Sequence, residues 1–267
     1  MADSENDGRV TIMASDENCR RFVAPLLPDC EVLGIGKGEG RAARLPAQAA
    51  SARVMVGFGS TPIEDAVFDA LPGLSLMIAV SAGHDALDPA RLAARGIALV
   101  NIGDGNSAAV ADHALALALA ARRRLIEADA WVREGRWERG DRGNRMQRGF
   151  SSERAGIVGI GYAGQAIARR LDGFGIATSW WGPRPHPEQP WPRADSLLAL
   201  ARDTSLLFVA CAGGPETEGL IDAAVIDAVG PDGLIINVAR GSVIDEDALI
   251  AALKEGRLGS AALDVFI

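Results

Sequence analysis

Short runs of mostly apolar residues recur along the chain, and segments with helical spacing of apolar positions separate them. In the first part the runs are Val10–Met13, Val54–Gly57, Leu76–Val80 and Ala98–Ile102. A run with little polar alternation reads as a strand buried on both faces, as in parallel sheets. Helices are predicted between them, at Ile63–Ala70 and Pro89–Ala94. Asp88 before Pro89 is a helix start, because a carboxylate can accept from the first amides and proline lacks an N–H that would have no partner there. Strand and helix in alternation predict a mainly parallel sheet covered on both faces.

A long helix is predicted next, from Ser107 to Val132. Its stretch Ala108–Ala121 is apolar on most faces apart from Asp112 and His113, which predicts burial in a core or an interface. It is too short and too polar to span a bilayer. Arg133–Arg154, which contains Arg-Glu-Gly-Arg-Trp137, reads as a glycine- and arginine-rich loop. A second series of strands follows at Ala155–Gly159, Ala177–Trp181, Leu206–Cys211, Leu234–Val238 and Ala261–Phe266. The chain therefore reads as α/β with two domains. The boundary is expected near Asn101–Asn106, giving residues 1–103 and 104–267. There is no internal repeat.

Composition narrows the partners. A net charge of -8 works against a nucleic-acid or anionic-membrane partner, since both need a basic surface. Cys19, Cys30 and Cys211 lie far apart, no CxxC occurs, and the three histidines make no metal-ligand spacing with them. No metal and a reduced, cytoplasmic setting are expected. The polar stretch Met1–Asp7 is no signal peptide and is expected to fray. Lys37 and Lys254 are the only lysines, and the only tyrosine, Tyr162, is followed four residues on by Ala166. A Tyr-x-x-x-Lys catalytic pair is thereby excluded.

Gly159-Ile160-Gly161-Tyr162-Ala163-Gly164 fits G-x-G-x-x-G, between an apolar strand and an amphipathic helix at Gln165–Leu171. That context is the βαβ unit in which glycines give a tight turn and bring backbone and helix N-terminus to a pyrophosphate. A glycine-rich turn without a ligand is the competing reading. NAD sites carry an acid at the end of the second strand for the ribose 2′-hydroxyl. Here Trp181 is followed by Gly182, Pro183 and Arg184. A carboxylate repels a 2′-phosphate and a guanidinium pairs with it, so NADP is expected, with NAD possible. Arg184 as an ordinary loop charge is the alternative.

Three later stretches, Val209–Leu220, Gly230–Leu249 with its Asn-Val-Ala-Arg-Gly, and Gly259–Phe266, resemble the D-isomer-specific 2-hydroxyacid dehydrogenases. So do Val80–Asp88 and the Arg-Glu-Gly-Arg-Trp137 loop, so the resemblance covers nearly the whole chain. The nearest branch looks like the glyoxylate/hydroxypyruvate and hydroxyphenylpyruvate reductases. The resemblance implies a flavodoxin-like substrate domain followed by a Rossmann doubly wound nucleotide domain. It implies hydride transfer from NADPH to a small 2-oxo acid, and a homodimer built through the Ser107–Val132 helix.

The resemblance also implies roles. Arg240 would bind the substrate carboxylate and polarise the ketone, and a planar fork suits that task. Ser81, Ala82 and Gly83 would cradle the carboxylate with backbone amides. Cofactor contacts would come from Gly159, Gly161, Tyr162, Ala163, Gly164, Gly182, Arg184, Cys211, Ala212, Thr217, Val238, Ala239 and Asp264. Asp264 would meet the nicotinamide amide. Cys211 as a nucleophile is disfavoured, because no activating cation adjoins it in sequence.

Departures from the family pattern are Tyr162-Ala163 where Arg-Ile is usual, Asp112-His113 where many members have Ala-Glu or Ala-Asp, and His84 in the substrate loop. The family's general acid is a His held by a Glu; they lie about thirty (Glu) and fifty (His) residues after the Arg, which counts past Ile267. The 267 residues as given are accordingly expected to bind NADPH with turnover near background. Two rivals stand beside this reading: a non-catalytic, corepressor-like dinucleotide-binding protein, and an NAD enzyme resembling phosphoglycerate dehydrogenase. Against the latter stands the missing acid at the second strand.

Overall fold

A computed structural model of the protein describes residues 9–36, 40–141 and 149–267. Met1–Asp7, Lys37 and part of the predicted Arg133–Arg154 loop lie outside the described residues. The chain divides into two compact units, Met1–Asn106 and Ser107–Ile267.

In the first unit the elements run β1 (Val10–Ala14), α1 (Glu17–Val23), β2 (Cys30–Gly34), β3 (Val54–Gly57), α2 (Asp65–Asp69), β4 (Leu76–Ala79), α3 (Pro89–Ala94) and β5 (Ala98–Asn101). All strands are parallel, in the order β2-β1-β3-β4-β5. Met13, Met55 and Met77 are in register across β1, β3 and β4, fully buried. Burying such a side chain contributes ~1.5–3 kcal/mol. Asp88 accepts from the Ala90 amide at 2.9 Å, and α3 starts at Pro89 as predicted.

Two predictions in this unit need correction. β2 went unread because Glu31 interrupts its apolar run. It is an edge strand, half-buried at each position, where polar residues are tolerated. Helix α2 is shorter than Ile63–Ala70, because Ile63 enters the core before the helix and Glu64 is still extended.

In the second unit the elements are α4 (Ser107–Arg122), α5 (Leu125–Arg133), β6 (Arg154–Val158), α6 (Tyr162–Gly173), β7 (Ala177–Trp181), α7 (Leu197–Arg202), β8 (Leu206–Val209), α8 (Ala223–Val229), β9 (Leu234–Asn237), α9 (Glu246–Lys254) and β10 (Ser260–Leu263). The parallel sheet runs β10-β9-β8-β6-β7. Helices α4 and α6 cover one face, with Ala111, Ala114 and Ala118 small enough to bring α4 close to α6. Helices α7, α8 and α9 cover the other face.

The predicted single helix Ser107–Val132 is two helices. Arg124 adopts a left-handed backbone, φ 48°, and begins the second. The break follows from Arg122, whose guanidinium donates to the carbonyls of Ser205 at 2.7 Å and Asp232 at 2.8 Å. It also pairs at 3.4 Å with the buried carboxylate of Glu153. The end of α4 is thereby pinned across the N-terminal edge of the sheet. Taking away one partner of such a buried pair costs about 3–5 kcal/mol.

Candidate functional site

The order of strands in the second unit reverses at β6, with β7 on one side and β8 on the other. Open α/β sheets bind ligands at such a point, outside the carboxyl ends of the strands. The glycine turn lies there. Gly159 has φ +92°, which favours glycine, and a Cβ on it would come within 2.6 Å of the Cys211 Cα after β8. A Cβ on Gly164 would overlap the Gly159 carbonyl oxygen, so only glycine lets α6 start this near the strand. Around Gly161 a Cβ would meet nothing. Gly161 caps α6 without any side-chain hydrogen bond. The first amides of a helix have no partners within it, and the dipole makes that end positive. These residues fit a diphosphate: open space, unblocked amides and room for close backbone approach. Tyr162 is exposed at the first position of α6 and Ala163 is half-buried, so no cation stands where the family has Arg.

After β7, Gly182 is buried and Arg184 is exposed. The chain then folds back, forming an isolated parallel bridge between Trp180 and Arg193. Trp180, fully buried, donates its indole N–H to the Trp191 carbonyl at 3.0 Å, and the Trp191 indole donates to Asp172 at the end of α6. Arg193 donates to the Gly182 carbonyl at 2.7 Å. Sequence reading missed Arg193, because it lies eleven positions past Gly182 and only the returning loop brings it there.

Beyond β8, Cys211 is partly buried and packs against the α7–α9 core. Burial pushes its thiol up to about 11, so it is an apolar filler rather than a nucleophile at neutral pH. Ala212 is exposed, and its carbonyl accepts from the Thr217 hydroxyl at 2.9 Å, which closes the loop after the strand. At the end of β9, Asn237 is almost fully buried and was not singled out by sequence. Its amide donates to the Arg240 carbonyl at 2.9 Å and its oxygen accepts from the Ala239 amide at 3.0 Å. That clamp shapes the turn that presents Arg240, which is half-buried beside buried Ala239 and half-buried Val238. The Arg240 guanidinium donates to the Ala239 carbonyl at 2.7 Å. Asp264, exposed after β10, pairs with His113 of α4 at 3.2 Å. Asp112, beside His113, pairs with Arg170 of α6 at 2.6 Å.

In the first unit, Ser81, Ala82 and Gly83 follow β4. The Ser81 hydroxyl accepts from the Gly59 amide at 2.9 Å and donates to the Gly83 carbonyl at 2.7 Å. Asn101 donates to the Ala82 carbonyl at 2.9 Å. Both carbonyls are therefore held from within the unit, which fixes the loop's backbone. A Cβ on Gly59 would overlap the Gly83 carbonyl, so the loop and the end of β3 are built together. Gly59 and Asn101 are part of this loop, though nothing in the local sequence flags them. His84 is half-buried next to the same turn. Among the described residues no helix is long and apolar enough to cross a membrane, and no cluster of three metal-ligating side chains occurs.

Residues 115–267 match the model of the D-isomer specific 2-hydroxyacid dehydrogenase NAD binding domain. A hydroxyphenylpyruvate reductase of Plectranthus scutellarioides is 39% identical over 222 residues, 83% of this chain and 70% of that protein. The solved structure of a 2-hydroxyacid dehydrogenase from Ketogulonicigenium vulgare Y25 overlays with a TM-score of 0.86 at 37% identity, covering 97% of this chain and 81% of that one. An NADPH-dependent glyoxylate/hydroxypyruvate reductase from Sinorhizobium meliloti, solved with NADP and malonate, gives 0.86 at 32% identity over 97% and 80%.

Proposed function

Because the chain belongs to the D-isomer specific 2-hydroxyacid dehydrogenase family, we propose that it binds NADPH in preference to NADH and serves reduction of a small 2-oxo acid such as glyoxylate or hydroxypyruvate to the D-2-hydroxy acid. One observation carries the nucleotide choice: after β7 the acid of an NAD site is replaced by Gly182, with Arg184 exposed two residues on. The NADP-bound relative supports the same reading.

The role of nucleotide domain falls to residues 104–267 and that of substrate domain to residues 1–103. Gly159, Gly161, Tyr162, Ala163 and Gly164 are assigned to the diphosphate, and Cys211, Ala212, Thr217, Val238, Ala239 and Asp264 to the nicotinamide side. NADPH, when bound, supplies a hydride. Arg240 is assigned to orient a 2-oxo acid by its carboxylate and to draw electron density from the ketone, and in the first unit the backbone amides of Ser81, Ala82 and Gly83 are assigned to carboxylate binding. Pairing with a second copy is supported by α5, which buries none of its residues and leaves Ile126 78% exposed. Three free cysteines agree with a reduced, cytoplasmic setting.

Fluorescence titration with both nucleotides tests the proposal. Arg184→Ala is expected to weaken NADPH about ten- to a hundredfold and leave NADH unchanged, the size of a lost charge-assisted contact. Tighter binding of NADH than NADPH by the unaltered chain would sink the nucleotide assignment. Binding is measured on the 267 residues. Turnover of NADPH with glyoxylate or hydroxypyruvate, followed by the loss of nicotinamide absorbance, tests the reduction.

A further inference from the structure

The loop after β7 is rich in proline, with Pro183, Pro185, Pro187, Pro190 and Pro192. Proline fixes φ and lowers the entropy of the unbound loop, so the loop's return path is restricted before any ligand arrives. Three hydrogen bonds then lock it onto the strand: Trp180 N to the Pro192 carbonyl at 3.0 Å, Ala194 N to the Trp180 carbonyl at 2.8 Å, and the Trp180 indole to the Trp191 carbonyl at 3.0 Å. Their combined effect is to deliver Arg193 to Gly182. The guanidinium donates to the Gly182 carbonyl at 2.7 Å and lies 5.7 Å from the centre of the Trp180 ring.

Gly182 is the position at which the fold meets the ribose 2′ group. A guanidinium carries five N–H donors in a planar fork, and a bond to one carbonyl leaves the others to serve an anion. Arg193 is also exposed, so this charge faces solvent on the side of the loop rather than the core. We infer that Arg193 is a specificity-determining residue that binds the 2′-phosphate of NADPH together with Arg184. This rests on the NADPH preference proposed above. A 2′-phosphate is close to a dianion at neutral pH, and two cations match it better than one. The two differ in kind: Arg193 is preset by the packed loop, whereas Arg184 sits on its exposed limb. Arg193 therefore needs little ordering when the nucleotide binds.

The test compares Arg193→Met, which keeps the apolar stem beside Trp180, with the unaltered chain and with Arg184→Ala. Dissociation constants are read for NADPH, NADH, adenosine 2′,5′-bisphosphate and 5′-AMP. Arg193→Met is expected to weaken NADPH and the bisphosphate about tenfold, the size of one charge-assisted bond, and to leave NADH and 5′-AMP within about twofold. Equal losses for NADH and NADPH would overturn the assignment, since Arg193 would then support adenine or the loop itself. Unchanged NADPH affinity in Arg193→Met alongside a loss in Arg184→Ala would overturn it too, with the NADPH preference intact. Failure of the preference looks different, because the unaltered chain would bind NADH as tightly as NADPH. Where the methionine variant does not fold, Arg193→Lys decides. It keeps the charge without the fork, and a selective loss of NADPH affinity supports the inference while none overturns it.

Discussion

The two units share one strand order, and the first strand of each leads through a short turn into a helix. Those turns have opposite chemistry. After β1, Asp16 caps α1 and its carboxylate accepts from the Cys19 amide at 2.9 Å. After β6, Gly161 caps α6 with no side chain at all. In the first unit the positive helix end is already answered by a carboxylate. In the second it stays open, beside a turn whose glycines permit close approach. A common topology therefore holds one closed anion position and one available one. The difference rests on one or two residues, because the backbone framework is the same.

Transplanting the cap breaks the comparison most strongly. Gly161 has φ -68° and ψ -167°, ordinary extended backbone, and a Cβ there meets nothing, so Gly161→Asp is expected to fold. The new carboxylate would occupy the amides and repel the diphosphate. NADPH and NADH are both expected to lose about a hundredfold in affinity, equivalent to ~2.8 kcal/mol. Thermal stability of the nucleotide-free protein should stay level or rise slightly, because Asp outranks Gly as a cap only modestly. Calorimetric titration and a melting curve on one preparation check both halves. Retained nucleotide affinity would mean that the amides of α6 do not bind the diphosphate.

Much of this contrast is legible in the sequence, and the unread part has a physical pattern. The glycine fingerprint, Gly182, Arg184, the Arg240 turn and most strands appear locally, since each depends on its own spacing or apolar run. Asp88 before Pro89 predicts α3 for the same reason. What escaped reading depends on residues distant in the chain. Arg193 reaches Gly182 only through the returning loop. Gly59 and Asn101 brace the Ser81–Gly83 turn from two other strand ends. The break between α4 and α5 follows from Arg122 reaching carbonyls before β8 and β9, which an unbroken helical pattern conceals. Strand β2 hides behind Glu31, whose polarity is tolerated only because the sheet ends there.

Removing the closed cap sharpens the comparison with a smaller effect. Asp16→Ala takes the oxygen from the Cys19 amide and is expected to cost ~1 kcal/mol of stability, the usual loss for an N-cap. Nucleotide affinity should not change, because α1 belongs to the other unit. Urea unfolding followed by tryptophan fluorescence reads only the second unit, in which all five tryptophans lie, so far-ultraviolet circular dichroism is the better probe. An altered NADPH dissociation constant in this variant would contradict the assignment of the open turn as the anion position.

The smallest effect concerns the residue that faces the open turn. Cys211 stands after β8, against the backbone of Gly159. Burial raises its thiol from 9.0 to about 11, and a backbone hydrogen bond offsets the loss of solvation only in part. Thiolate is the reactive form, so alkylation of Cys211 at pH 8 should be slow and should climb only as the pH approaches 11. The same shift has a sign for stability. Between 9.0 and about 11 the unfolded chain has lost this proton and the folded chain retains it, so this group lowers stability as pH rises through that window and has no such effect below it. Cys211→Ala removes the group with little change in bulk and should leave NADPH affinity within about twofold, as expected for a filler rather than a reacting group. Peptide mass mapping after iodoacetamide at pH 8, with and without NADPH, reads the thiol directly. Rapid labelling of Cys211 at pH 8 would show an activated thiolate at the head of β8, and the second turn would then carry a reactive group as well as an anion site.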